Sequence, residues 1–378
     1  MRIDMTKLLP TFFACMILAI ISERCSIREE GKLEYLHKDK IFYFMIVVLM
    51  IFLAGLRVRY NDTATYISAY ENLDISGNIL SSISWNIGDN PAFNLINLIL
   101  KKIGISGNGF IMFYSIVTVG LYLWFVKKYS NDFALSWFIL FTGGAYIFSF
   151  AAIKQCMAIA IGLVAVDALI EKKKIKFVVC ILVATLFHTY ALLFFAAPLL
   201  LFPVWSFKSY LLIFLTAIAG IGFQTLLGGM LSITSLLGEN YDIESFSGEG
   251  VNIFRLLVAL APVILSFVAK NELRKSENRI ERIMINLTMI NAALMVIASF
   301  GTAFYLARVA NYFAIFPVIS IPYLLKYFTK DLQVLLKIII IVGYFGYFVY
   351  AYGVVRGGFD FAYDSITLSQ FIETLFAH

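Results

Sequence analysis

IFYFMIVVLMIFLAGL, residues 41–56, carries no charge, and RVRYND, residues 57–62, follows at once. A run of that kind suits hydrocarbon, and the cations directly after it mark where hydrocarbon ends. The pattern recurs. Apolar runs cover 8–22, 109–126, 133–150, 153–170, 209–228, 251–269, 282–300, 303–325 and 332–352. Residues 176–203 are apolar too, and longer than one crossing needs. Residues 92–103, behind Pro91, are too short to cross and read as a re-entrant or interfacial helix. The expected fold is all-α: a polytopic integral membrane protein with about 11–12 transmembrane helices plus re-entrant or interfacial helices. It forms a single membrane domain over 1–378.

Composition agrees. Of 378 residues, 61% are hydrophobic and 14% charged, whereas soluble domains are about 25% charged. Disorder, collagen-like repeats and small disulfide-rich folds are excluded. A β-barrel is excluded as well, because its strands alternate instead of running apolar. The aromatic fraction of 16% suits lipid-facing and interfacial rings. Cys15, Cys25, Cys156 and Cys180 share no close spacing and read as isolated thiols. Arg2 and Lys7 give the first run a signal-peptide look. Ser22-Glu23-Arg24-Cys25 stands where a small-residue cleavage site would be, so the run is read as a span.

Basic residues set the orientation. Arg24, Arg28, Lys32, Lys38 and Lys40 form one group, and Lys127 with Lys128 a second. Lys172, Lys173, Lys174 and Lys176 form a third, Lys270, Arg274, Lys275, Arg279 and Arg282 a fourth, and Lys326, Lys330 and Lys337 a fifth. The positive-inside rule assigns them to the cytoplasm. The loops at about 57–91 and 229–250 and the tail 353–378 are poor in Lys and Arg and are placed outside. That assignment requires 176–203 to enter and leave on the basic side. A hairpin broken near Phe187-His188-Thr189 would do so. A single kinked crossing, with 209–250 making two short ones, is the alternative.

The remaining cations are informative. Arg57, Arg59, Lys154, Arg255 and Arg308 all fall at the outer ends of spans. A cation toward the bilayer interior costs on the order of 2.5–3.5 kcal/mol. One alone is usually a snorkelling side chain; five at one depth point to a bound anion. Gln155 neighbours Lys154, and Asn311 and Tyr312 share the helix face of Arg308. Asp62, after Arg59, reads either as a polar neighbour of that site or as a helix N-cap. Tyr66 and Tyr70, four apart, read as a sugar-stacking face or as an interfacial belt. His188 reads equally as a helix–helix hydrogen bond or as a functional intramembrane group. The acidic residues Glu239, Asp242, Glu244 and Glu249 read as a solvated loop rather than a metal site. No dinucleotide, phosphate-loop or metalloprotease motif is present.

These residues, in this order, resemble a family. Gly55-Leu56-Arg57 comes first, with Arg59, Asp62, Tyr66 and Tyr70. Lys154-Gln155 opens a mid-chain span. A lysine-rich turn precedes Phe187-His188-Thr189-Tyr190-Ala191-Leu192-Leu193, and Arg308 comes with Tyr312 and Phe313. The chain resembles the EpsG-type polysaccharide polymerases, which include Wzy-type O-antigen polymerases, over roughly 40–325. It departs from them at Lys154-Gln155, where the family typically carries Arg-Gln. Lysine keeps the charge and loses the bidentate fork.

The resemblance implies a membrane glycosyltransferase of the bacterial inner membrane, with its site facing the periplasm. It would join undecaprenyl-diphosphate-linked oligosaccharide repeat units, with undecaprenyl diphosphate leaving and no metal or other cofactor required. On that reading Arg57, Arg59, Lys154, Gln155, Arg255, Arg308 and Tyr312 bind the diphosphate, and Tyr66 and Tyr70 bind sugar. Asp62 or His188 accepts the acceptor's proton. The expected partners are membrane lipid, a chain-length regulator of the Wzz type and a flippase, and no nucleic acid. A flippase or exporter of lipid-linked glycan is one alternative. An O-antigen ligase, or a glycosyltransferase using a polyprenyl-monophosphate sugar, is another.

Overall fold

The computed structural model describes residues 5–28, 35–79, 81–236, 251–300, 303–354 and 363–376. Within them the chain is overwhelmingly helical, as the apolar runs require. The first half comprises α1 (Met5–Cys25), α2 (Ile41–Gly55), α3 (Thr63–Glu71), α4 (Pro91–Lys102), α5 (Gly107–Tyr129), α6 (Phe133–Thr142), α7 (Ala145–Phe148) and α8 (Ile153–Ile170). Then come α9 (Lys174–Thr185), a 3-10 segment Thr189–Leu200, α10 (Phe207–Ile221), α11 (Phe223–Leu236), α12 (Ile253–Val268) and α13 (Lys270–Lys275). The remainder is α14 (Arg279–Phe300), α15 (Ala303–Ala310), a 3-10 turn Asn311–Phe313, α16 (Phe316–Leu325), α17 (Lys330–Phe348) and α18 (Leu368–Glu373). Four very short strands pair antiparallel: β1 (Ile27–Arg28) with β2 (Tyr35–His37), and β3 (Arg57–Arg59) with β4 (Asp364–Ser365).

The all-α polytopic fold is as expected. Among the described residues five helices are long and apolar enough to cross a membrane: Leu8–Cys25, Gly107–Tyr129, Ile153–Ile170, Arg279–Phe300 and Lys330–Gly353. The pair Leu306–Phe313 and Phe316–Leu325, bent by 53°, makes a sixth. Other apolar helices are short, such as Ile41–Gly55 and Phe133–Thr142. Backbone breaks divide some of the apolar runs. The run 133–150 breaks at Gly143 and Gly144. Gly144 holds φ +89, and a Cβ there would lie 2.5 Å from the Tyr352 hydroxyl.

The five basic groups meet at one end of the bundle. Lys38 donates to the carbonyls of Lys127, Lys128 (2.9 Å) and Ser130 (3.3 Å). Lys128 pairs with Asp167 and with Glu171, the latter at 2.7 Å; Lys173 also reaches Glu171 at 2.7 Å. Arg279 donates to the Leu169 carbonyl at 2.9 Å, Lys326 pairs with Glu281, and Lys337 pairs with Asp132 at 2.7 Å. The Glu171 carboxyl is held down at about 2, chiefly by hydrogen bonds from Lys128 and Lys173.

The path of 176–203 is a hairpin. α9 leaves the basic end, the chain turns at Phe187-His188, and Thr189–Leu200 returns packed on α9 and α8. At the return Asn286 donates to the carbonyls of Leu200 (2.7 Å) and Phe202 (3.0 Å), and Arg274 to that of Trp205 (2.8 Å). Gly162 on α8 makes room for the buried Phe194 ring, which a Cβ would strike. α4, of twelve residues, is too short to cross, as expected. The acidic residues of 237–250 lie outside the described residues, as do 355–362 of the tail. The β3–β4 pairing joins residues 57–59 to 364–365, two stretches expected on one side.

Candidate functional site

The site lies at the opposite end from the lysines. α8 shows the separation: Lys154 is in its first turn and Asp167 in its last, about 20 Å apart at helical rise. Four segments converge near Lys154. They are the start of α3, the start of α8, the turn at His188, and the break between α15 and α16.

The contacts trace this convergence. The Tyr312 hydroxyl lies 2.9 Å from His188 Nδ1. Lys154 and Arg308 both act electrostatically on His188. Lys154 also sits 5.0 Å over the Phe93 ring, whose edge meets Tyr66 at 6.1 Å. Asp62 and Arg308 both act on Tyr66. Burial pushes the Tyr66 phenol up to about 12, with Asp62 adding and Arg308 opposing, so Tyr66 is a hydrogen-bond donor at neutral pH. Arg255, at the start of α12, donates to Asn311 Oδ1 at 3.2 Å.

Asp62 stands at the N-cap position of α3, but its carboxylate makes no capping bond. Asn61 before it takes a left-handed turn, φ +46, which reverses the chain out of β3. Thr63 fills the local polar role, donating to the Tyr60 carbonyl at 2.7 Å. The Asp62 carboxylate is therefore not spent on the helix start.

These contacts link the neighbourhoods of Asp62, Tyr66, Lys154, His188, Arg255 and Arg308. Arg308 is exposed, and the other five are partly so. Such a grouping of cations, an imidazole and a carboxylate suits a polyanionic ligand bearing a hydroxyl nucleophile. Sequence comparison agrees: residues 40–363 match the EpsG family. The chain belongs to the EpsG family. No curated protein and no solved structure shows significant similarity to it.

Membership points to a polysaccharide polymerase in general. Within this EpsG-family chain the expected site residues divide into two sets. Arg59 (exposed, on β3 opposite Asp364), Lys154, Arg255 and Arg308 keep surface at the site end. Four others are turned inward. Arg57 is 2% exposed. Its Nε donates to Thr63 Oγ1 (3.2 Å) and the Phe150 carbonyl (3.1 Å), and its Nη1 to Ser115 Oγ (3.0 Å) and the Ala54 carbonyl. Arg57 thus ties α2, α3, α5 and the approach to α8 together. Tyr70 is buried with its ring stacked 4.7 Å from Phe110 and its hydroxyl on the Ile105 carbonyl. Gln155 spends its amide on the Arg308 carbonyl at 2.6 Å. Tyr312 is fully buried and orients His188.

Asn291 was not singled out from the sequence. It is 4% exposed in α14 and donates to the Ala310 carbonyl at 2.8 Å. Its signal was available: an amide inside an apolar run needs a partner there.

Proposed function

We propose that the chain is a polysaccharide polymerase acting on undecaprenyl-diphosphate-linked oligosaccharides at the outer face of the bacterial inner membrane. The observation that carries this reading is the convergence of His188 on Tyr312 at 2.9 Å, Arg255 on Asn311 at 3.2 Å and Lys154 over the Phe93 ring at 5.0 Å, with the charges of Asp62 and Arg308 both acting on Tyr66. Cations, a carboxylate and an imidazole from distant parts of the sequence thereby share one site.

The chemistry follows from charge. The acceptor's sugar hydroxyl attacks the donor's anomeric carbon, and the bond from that carbon to the diphosphate oxygen breaks. Negative charge grows on the departing diphosphate, and fixed cations at that point lower the barrier. Lys154 and Arg308, with Arg255 and Arg59 at the margins, supply them without calling on a metal. Asp62 takes the hydroxyl proton, since its carboxylate is not engaged in capping. His188, with Nδ1 on Tyr312, presents Nε2 to a phosphate oxygen. The lipid tail lies along the apolar flank. The five basic groups, which the positive-inside rule assigns to the cytoplasm, support an outward-facing site. A chain-length regulator and a flippase would be its working partners.

The experiment is a gel of lipid-linked glycan from a deletion strain. A single-repeat band in place of a ladder supports the polymerase. Loss of all surface glycan, with lipid-linked units trapped inside, would replace it with a flippase. Finished polymer left on its lipid carrier would indicate a ligase.

A further inference from the structure

The span 303–325 is broken where it carries Arg308. α15 ends at Ala310, one 3-10 turn follows, and α16 departs at 53°. A broken helix strands carbonyls that would have accepted the N–H four residues on. Within a membrane those carbonyls must be met by neighbours. Here two side-chain amides meet them. Gln155 Nε2 from α8 donates to the Arg308 carbonyl at 2.6 Å, and Asn291 Nδ2 from α14 to the Ala310 carbonyl at 2.8 Å.

The register shows what the second amide holds open. In a continuous α-helix the Ala310 carbonyl would accept from the Ala314 N–H. Instead that N–H goes to the Asn311 carbonyl at 3.2 Å, closing the 3-10 turn. Asn291 occupies the acceptor that Ala314 would otherwise claim. Without it the cheapest repair is to rewind the turn. Rewinding moves Asn311 away from Arg255 and Tyr312 away from His188, and swings the Arg308 side chain about the helix axis.

We infer that Asn291 is a positioning residue: with Gln155 it locks the break in the span so that the Arg308 guanidinium meets the diphosphate of the lipid-linked substrate. The inference rests on the polymerase reading given above.

The test uses the full chain in detergent micelles, with undecaprenyl diphosphate as the probe. Asn291→Leu keeps the size and removes the donor. It is measured alone and combined with Arg308→Lys, which keeps charge and loses the fork. Thr288→Val, one turn away on α14, is the control for a purely structural bond, since Thr288 bonds Met284 and Ser320 inside the core. Asn291→Leu should weaken probe affinity about tenfold, the worth of one buried hydrogen bond. In the Arg308→Lys background the same change should add little, because both act through one group. Thr288→Val should leave affinity unchanged. Gln155→Met should repeat the Asn291→Leu signature, and it carries the test if Asn291→Leu fails to fold. Equal losses in both backgrounds, or unchanged affinity with Arg308→Lys impaired, would overturn the lock alone. Unchanged affinity and polymer in Arg308→Lys itself would overturn the diphosphate reading, and the lock with it.

Discussion

Arg57 and Arg308 look alike in the sequence, each a cation at the edge of an apolar run, and the structure gives them opposite work. Arg308 is exposed at the site end, while Arg57 is enclosed and its donors go to four internal oxygens. Their alanine variants should therefore fail differently. Arg308→Ala and Lys154→Ala should abolish the glycan ladder with protein level intact on immunoblot. Arg57→Ala strands the Ala54 carbonyl and takes one of two donors from the Phe150 carbonyl, a loss on the order of 3 kcal/mol. It should show as lower protein yield and a lower melting temperature in detergent. A stable Arg57→Ala protein that has lost only its ladder would instead put Arg57 in the binding set. Position along the chain was enough to find the region, because cations in hydrocarbon are rare. It was not enough to say which way a side chain turns. Tyr66 and Tyr70 do share a face, as their spacing requires, but that face packs toward α5, so Tyr70 stacks on Phe110.

Breaks govern the elements. Hydropathy finds apolar length and is blind to where the backbone turns within it. Residues 133–150 and 303–325 each read as one span and are each divided. The hairpin at 176–203 was one of two paths open to the sequence, and only packing decides it. Two glycines should be sensitive. Gly144→Ala puts a Cβ at φ +89 against Tyr352, and Gly162→Leu drives a side chain into the Phe194 ring. Each should cost at least about 1–2 kcal/mol, read as a depressed melting temperature, with Gly120→Ala, where a Cβ meets nothing within 4 Å, as the neutral control. At the basic end the Glu171 carboxyl titrates near 2 when folded, against its ordinary 4.5. A depressed carboxyl stabilises above its unfolded value and loses that contribution as pH falls through the folded one. The melting difference between wild type and Glu171→Gln should thus be constant above about pH 5 and shrink below it.

The whole molecule is polar in the sense of having two unlike ends. One end is tied by lysine–carboxylate pairs, and the other gathers the candidate site. Orientation follows if the lysine end faces the cytoplasm. Cysteine labelling in whole cells checks this. Cys25, exposed beside the basic groups, should resist an impermeant maleimide in intact cells and react after lysis. Ser68 is exposed on α3, and the thiol of Ser68→Cys should react in intact cells. The reverse pattern would turn the site toward the cytoplasm. The fold class and the two-ended charge pattern were legible because both are sums over many residues. The inward turn of Gln155 and Tyr312 was not, because each depends on one partner far along the chain.

The short ladder between β3 and β4 bears on biogenesis. Tyr363 reaches back 310 residues to the Leu53 carbonyl, and Ser365 lies opposite Arg57. The rim beside Asp62 is therefore stitched only after translation has passed residue 365. A nascent chain stalled short of that point would hold nearly every helix and an unfinished rim. On the polymerase reading proposed above, such a chain would lack the finished rim beside Asp62.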